Sequence, residues 1–470
     1  MRKKLLYCSL NLGGKSKEVN VQLLELNREY CENTAKEKAA HAASALRAIE
    51  YINGSTAKYH GRCVSTLYVP KMFTEEDVCN FRNLVKVLYG IFDKVIRHYR
   101  EDAEYRSLFG FPGKLEELIL RSPVYKSRIP IARIDIFYNE ETKDFKFCEF
   151  NTDGSSAMNE DRELNHALRL TLGYETLVKR YDVETFELFD SWAETSLRIY
   201  RETKNAKEKP YVAIVDFMES ATNNEFEIFA ESYRKRGIEC EICEIRDLIY
   251  RDGRLCGKSG RPVDMIYRRA VTSDIISHYE EVSDFISAVK DGAVCLIGDF
   301  TTQIVHNKVL YQILHHPATS AFLSEEERTY VKRHVPYTAL MTADYLPYEE
   351  IVSQKDRFIL KPLDSYGSKG VFAGVEYESD AEWKEIVDSH RIEGYLVQEF
   401  VLPYQTKNID FSKGADVDFI PVSNLTGLFV YDGRFQGIYS RVSRGKIIST
   451  QYSEIALPSV VVREKEEALG

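Results

Sequence analysis

Two short apolar strands that carry charge on one face constrain this chain more than any other feature. Ile131-Ala132-Arg133-Ile134-Asp135-Ile136-Phe137 alternates, a polar turn follows, and Phe145-Lys146-Phe147-Cys148-Glu149-Phe150-Asn151 alternates again. Successive side chains of a strand point to opposite faces, so Arg133 and Asp135 share one face, and Glu149 and Asn151 share one face of the partner. A turn centred on Thr142 sets Asp135 opposite Glu149 and Arg133 opposite Asn151. Two carboxylates directly across a ladder repel unless a cation, a proton or an arginine offsets them. Magnesium takes one or two protein carboxylates with a neutral oxygen and keeps other positions for water and phosphate, so Asp135, Glu149 and Asn151 form a candidate Mg²⁺ set. Arg133 beside them suits an anionic substrate. A strand edge whose charges are merely solvated is the alternative.

Length and composition bound the rest. At 470 residues the chain exceeds one ordinary core, so two or three domains sharing a cleft are expected. Hydrophobic residues at 44%, with 30 Tyr and 24 Phe, exclude a disordered chain. A formal net charge of -10 without a long basic stripe argues against a nucleic-acid binder. The nine cysteines lack the spacing of a disulfide framework and suit a reducing cytoplasm. Cys240 and Cys243 fall in the alternating run Ile238 to Ile245 and read as strand residues, without a second pair of zinc ligands. The basic start Met1-Arg2-Lys3-Lys4 is followed by Ser9, Asn11, Gly13 and Lys15, which break the apolar run, so an export signal is not expected. No apolar run approaches the ~20 residues of a membrane helix.

Helical spacing runs from about Lys17 to Tyr51 and again from Thr74 to Tyr105, where Thr74 and Asp77 form a capping-box pattern. Val78, Phe81, Val85, Leu88, Phe92, Val95 and Tyr99 make the apolar stripe of that second helix. After the hairpin and further helical segments, Lys204-Asn205-Ala206-Lys207-Glu208-Lys209-Pro210 reads as a linker. Strands Tyr211 to Asp216, Ile238 to Ile245, Asp264 to Arg268 and Val294 to Ile297 then alternate with helices Asn224 to Arg236 and Asp274 to Lys290, a small open α/β sheet. The expected division is 1–203, 204–302 and 303–470. In the last part Asp432-Gly433 is a two-residue hairpin turn and Arg444-Gly445 a second candidate.

Several residues carry possible chemistry beyond the hairpin. Ser155, Ser156 and Asn159 stand where a helix begins, offering N–H groups and hydroxyls to an anion, with simple capping as the alternative. Phe358-Ile359-Leu360-Lys361-Pro362 ends in a lysine before a loop holding Gly367 and Gly370, whose backbone could approach phosphates. Lys308 sits at a helix start, and Tyr395 to Phe400, with Gln398 and Glu399, reads as a hinge strand against a base edge. Arg441 lies near a strand end with Arg444 and Lys446 after it. Arg268 and Arg269 point to opposite sides of their strand, so at most one faces a ligand at its carboxyl end.

Taken in order, Arg133-x-Asp135, Glu149-x-Asn151, Tyr267-Arg268-Arg269, Asn307-Lys308, Lys361-Pro362-Leu363, Gln398-Glu399 and Gly437-Ile438 before Arg441 resemble the synthetase domain of glutathionylspermidine synthases. The resemblance spans about Arg133 to Tyr452. It implies a mixed α/β ATP-grasp fold in circularly permuted order, with a small Rossmann-like preATP-grasp domain and a helical N-terminal region. It further implies an ADP-forming ligase that joins a carboxylate to an amine through an acyl phosphate. On that basis Asp135, Glu149 and Asn151 bind Mg²⁺. Lys308, Lys361, Gly367, Gly370, Gln398 and Glu399 serve ATP, and Arg133 and Arg441 the reacting phosphoryl or acyl group. Ser155, Ser156 and Arg268 serve the acid substrate. The loop after Lys361 departs from the family in lacking an acidic residue from Ser365 to Gly370, with Asp364 the nearest, which puts a second metal site in doubt. No fused cysteine amidase is expected. A binding protein that kept the fold, or a kinase on it, is the competing reading.

Overall fold

The computed structural model describes residues 23–59, 61–219, 221–344, 346–363, 370–448 and 454–465, and it places the hairpin at one edge of a six-stranded antiparallel sheet. Its strands run in the order Ile455–Leu457, Arg434–Ser443, Ile420–Tyr431, Ile131–Tyr138, Phe145–Asn151, with Gln405–Asn408 also pairing Ile420–Tyr431. Arg133 pairs with Asn151 and Asp135 with Glu149, the expected register. Beyond Asp135 the register shifts, and Ile136 pairs with Phe147. Cys148 is thus an extra residue, and such a bulge re-aims side chains locally. Both Cys148 and Glu149 consequently line the central cavity, which strict alternation does not allow.

Period two divides the rest of this sheet. Ile134, Phe150, Leu428 and Ile438 are buried on one face against Phe81, Val85, Leu88, Phe92, Val95 and Tyr99 of helix Glu75–Glu101. Phe92 and Phe150 meet edge to face at 5.1 Å between centroids. Each such side chain contributes roughly 1.5–3 kcal/mol on burial, so a one-residue slip that exposed them is strongly disfavoured. The other face therefore has to carry Arg133, Asp135, Glu149, Asn151 and Arg441 together.

The helix begins as its sequence dictates: Thr74 accepts from the Asp77 N–H while the Asp77 carboxylate accepts from the Thr74 N–H. It stops at Glu101 rather than continuing to Tyr105, because Asp102 turns its carboxylate to cap the next helix, Ala103–Ser107. The first helical region is likewise two helices, Leu23–Lys36 and Lys38–Gly54, broken at Glu37, and its residues 17–22 lie outside the described residues.

Segment 204–210 forms turns and bends. Beyond it, strands Cys295–Ile297, Met265–Arg268, Val212–Asp216 and Cys240–Glu244 form an all-parallel sheet in that order. The expected helix Asp274 to Lys290 is instead Thr272–Ser277 and Ser283–Lys290. Cys240 and Cys243 are buried strand residues, and among the described residues no three His, Cys, Asp or Glu side chains group as a metal site. A second antiparallel sheet, ordered Thr338–Leu340, Tyr395–Glu399, Phe358–Pro362, Phe372–Ala373, has its own core around Trp383. Lys71–Phe73, Ser459–Glu464 and Tyr181–Glu184 make a third small sheet that ties strand Ser459–Glu464 to the first part of the chain.

Asp432 and Gly433 both have positive φ, 47° and 73°, the geometry of a type I′ turn. Arg444-Gly445 is no such turn, since residues 446–448 after it form no strand. No helix among the described residues is long and apolar enough to cross a membrane.

Thr74→Ala should cost about 1 kcal/mol, read as a lower urea midpoint at unchanged slope. Burial of Asp77 opposes its ionisation, but Lys143 at 2.7 Å, Tyr138 and Thr74 outweigh it and hold its carboxyl below the ordinary value. The Asp77 contribution is therefore full above pH about 4 and lost as pH falls through the depressed folded value.

Candidate active site

Where the hairpin sheet, the carboxyl ends of the parallel strands and the second antiparallel sheet converge, they enclose a cavity of about 860 Å³. Asp135 is its most constrained member, only 1% exposed. The Arg133 Nε donates to its Oδ1 at 2.9 Å, Arg133 Nη2 to Oδ2 at 3.2 Å, and the Asn151 amide to Oδ2 at 3.0 Å. The Arg441 guanidinium reaches the same Oδ2 from across the sheet. Stripping a carboxylate of water costs several kcal/mol unless partners replace it, and two guanidiniums with an amide do so here.

Room for this arrangement comes from Gly427, which pairs with Asp135 on one side and Tyr439 on the other. A Cβ on Gly427 would stand 2.8 Å from the Asp135 Oδ1 and 2.9 Å from the Arg133 Cδ. The side chain of Arg133 thus crosses the strand where no side chain stands.

Glu149 is paired with Lys308 at 2.9 Å. Burial alone would raise its carboxyl, but the Lys308 ammonium, aided by His306 and Lys361, overrides that and holds it at about 2. Lys308 occupies the N-cap position of helix Val309–Leu314, whose packing fixes its approach. Lys361 donates to the Gln398 Oε1 at 2.8 Å, and burial pushes its ammonium downward. Arg133, Arg441, Lys308 and Lys361 together outnumber Asp135, Glu149 and the Glu454 that pairs with Arg441 at 3.4 Å. Beside the hairpin, where these groups cluster, an anionic ligand is favoured, while carboxylates line much of the remaining wall.

The donor types are those a hard divalent cation takes, and here Asp135 is engaged by Arg133, Asn151 and Arg441 and Glu149 by Lys308. Two carboxylates and one amide share the cavity side, and a small hard ion needs only one or two protein carboxylates, filling other positions with water and phosphate.

Other expected residues are placed differently. Arg268 is consumed internally: it pairs with Asp153 at 2.7 Å and donates to the carbonyls of Gly298 and Ala270. Its neighbour Arg269 is the one that lines the cavity, because alternation sends the two to opposite sides. The Ser155 hydroxyl donates to the Asn151 carbonyl at 2.5 Å, and the Ser155 and Ser156 carbonyls accept from Arg269 and Arg133. Both serines line the cavity, yet the helix start beyond them is already capped. Ala157 takes a left-handed conformation, φ 86°, and the N–H groups of Met158 and Asn159 donate to Glu225 at 2.9 and 3.2 Å. The anion expected there is the protein's own carboxylate.

Tyr395–Glu399 is an internal strand, paired on both sides, and the N–H groups of Glu399 and Phe400 already donate to Tyr337 and Arg357. It offers no free hinge edge at those positions. Gln398 acts through Lys361, Glu399 lies 3.8 Å from Lys146, and Phe400 supplies the cavity wall. Gly370 has φ +69°, while Gly367 and Asp364 lie outside the described residues. Lys446 lines the cavity, whereas Arg444 pairs with Asp410.

The sequence placed Arg269 only as one of a pair, and Glu160, Asp216, Glu225, Asp274 and Glu454, which also line the cavity, stand in ordinary contexts that carry no signal. Burial raises the Asp216 carboxyl to about 7.

No protein-family model matches the sequence, and no curated protein matches it. A glutathione synthetase-like effector, GSS30, from Globodera pallida does match in structure, with a TM-score of 0.58 at 12% identity over 89% of this chain and 96% of that one. The fold is shared with a glutathione synthetase-like protein. Weaker matches are the D-cycloserine synthetase DcsG, with a TM-score of 0.29 and 15% identity over 55% and 76% of the two chains, and a D-alanyl-alanine synthetase A from Vibrio cholerae O1 biovar eltor, at 0.25 and 6% over 55% and 89%. At such identities the likeness concerns the fold, and the two weaker matches carry no argument.

Gly427→Ala should destabilise by about 1–3 kcal/mol through overpacking against Arg133 and Asp135. Gly90→Ala, in helix Glu75–Glu101 with nothing within 4 Å, should instead be neutral or stabilising by up to about 1 kcal/mol. Parallel urea denaturation of the two variants checks this.

Proposed function

We propose that the protein is an ATP-dependent, ADP-forming carboxylate–amine ligase of the ATP-grasp type, similar to the synthetase part of glutathionylspermidine synthases and permuted as that resemblance implies. The observation that carries the proposal is the pairing of Asp135 with Glu149 on a cavity wall that also presents Arg133, Arg441, Lys308 and Lys361. The division at 203/204 and 302/303 belongs to the same proposal, with the parallel sheet as the middle part.

In this reading Lys308 and Lys361 hold the phosphates of ATP, with Gln398 orienting Lys361. Asp135, Glu149 and Asn151 would hold Mg²⁺. That ion would supply positive charge to neutralise the transferring phosphoryl group. Arg133 and Arg441, fixed by Asp135, place two guanidiniums where the phosphoryl group passes from ATP to the substrate carboxylate. The acyl phosphate is then attacked by the amine and phosphate leaves. Walls from three sheets limit water, which would otherwise hydrolyse the acyl phosphate. No protein nucleophile is needed.

One observation favours a second reading. The Asp135 carboxylate already has three protein partners, as a binding protein that retains ATP without turnover could keep it. The deciding experiment presents ATP, Mg²⁺ and hydroxylamine with a panel of carboxylic acids. A ligase yields a hydroxamate with ADP and phosphate. Tight ATP binding without product points to the binding protein, and a phosphorylated product stable to hydroxylamine to a kinase.

In the productive assay Glu149→Ala should lower turnover by about 100-fold or more while the fold persists by circular dichroism. Lys361→Ala should raise the ATP dissociation constant by about 10–100-fold, the loss of one charge-assisted bond, measured by calorimetry.

A further inference from the structure

The cavity contains one carboxyl group that the mechanism above does not use. Glu160 lies in the first turn of helix Met158–Leu168, lines the cavity, and is 7% exposed. Among the described residues its side chain has no hydrogen bond or ion pair to another residue, and it meets only its own backbone N–H. A carboxyl that lines a cavity with no side-chain partner is open to a ligand there. Its neighbour Glu225 is different, being held by Arg269 at 2.9 Å and by two backbone N–H groups.

The surroundings say what the ligand is. Glu160 feels Glu225 from helix Asn223–Lys235, Arg133 from strand Ile131–Tyr138, Arg269 after strand Met265–Arg268, Tyr439 from strand Arg434–Ser443, and Asp161 on its own helix. Both arginines are engaged: Arg133 by Asp135 and the Ser156 carbonyl, Arg269 by Glu225 and the Ser155 carbonyl. Beyond Glu160 the wall continues with Glu219, Asp216 and Asp274, and Lys58 and Arg62 also line the cavity, so the carboxylates nearest Glu160 offer a cation several acceptors. A group entering there and meeting Glu160 next to Arg133 is a cation, and next to an acyl phosphate it is a protonated amine.

We propose that Glu160 receives the ammonium group of the amine co-substrate and takes its proton, so that the nitrogen attacks the acyl phosphate held at Arg133. This rests on the ligase reading. One proton passes from the ammonium to the Glu160 carboxylate and frees the nitrogen lone pair. The C–N bond forms at the acyl carbon, then the carbon–oxygen bond to phosphate breaks, its electron pair leaving with the phosphate. The second nitrogen proton departs with that phosphate, and Glu160 returns its own to solvent. Burial, and secondly the Glu225 carboxylate, raise the Glu160 carboxyl above the ordinary carboxylate range, closer to the affinity needed to accept a proton from an ammonium.

Hydroxylamine separates the steps, because it is a weak base, uncharged at neutral pH, and needs no proton acceptor before attack. The assay compares hydroxamate with amide formation, using the acid that the hydroxamate panel returns and a panel of primary amines offered with it. In Glu160→Gln the ratio of amide to hydroxamate should fall by about 100-fold or more, the range of general-base catalysis. Glu160→Asp should recover part of it. The amide rate of the variant should climb with pH toward the free amine's own ionisation, while the native rate levels off earlier. An unchanged ratio, or an equal fall with both nucleophiles, would overturn the proposal. If the native enzyme makes hydroxamate and no amide with any amine, the proposal also fails. If it makes neither, the ligase reading itself fails. Melting temperature checks that each variant is folded.

Discussion

The buried carboxylate of Asp135 holds the site together, and its requirements propagate outward. Two guanidiniums and one amide satisfy it, drawn from three strands: its own, the hairpin partner, and Arg434–Ser443 across Ile420–Tyr431. Deleting one partner leaves an uncompensated buried charge, which is far more damaging than never having had the pair. Asp135 therefore needs Gly427 between it and Tyr439, and it needs the register that sets Glu149 opposite.

That register is enforced from the other side of the sheet. Ile134, Phe150, Leu428 and Ile438 must meet the helix stripe of Glu75–Glu101, and every residue that satisfies the core fixes the face of its neighbour. Packing on one face and electrostatics on the other thus agree on one alignment. The cavity then gathers Arg133, Arg441, Lys308 and Lys361 beside the hairpin, with Asp216, Glu225 and Asp274 in the wall at the parallel sheet.

Much of this was legible in the chain because it is local. Alternation placed Arg133 with Asp135 and Glu149 with Asn151, the Thr74–Asp77 pattern marked a helix start, and Asp432-Gly433 marked a turn, each governed by geometry within a few residues. Expectations failed where distant residues intervened. Ser155 and Ser156 had the look of an anion cradle, but Glu225 reaches the helix start first. Arg268 and Arg269 were distinguishable only as opposite, and the partner Asp153 decided which one turns inward. The bulge at Cys148 left no mark in an otherwise regular alternation.

The sequence by itself determined the hairpin, its register around Asp135, the capped helix beneath it and the residue types of the site, since strand and helix periods act over short range. Tertiary structure alone decided that Arg441 would close on Asp135, that Lys308 would hold Glu149, and that Glu160 would be left without a partner. Those outcomes depend on which distant groups share a low-dielectric space, where charges interact strongly and competition for each one is settled by the whole packing. No local pattern along the chain encodes that competition.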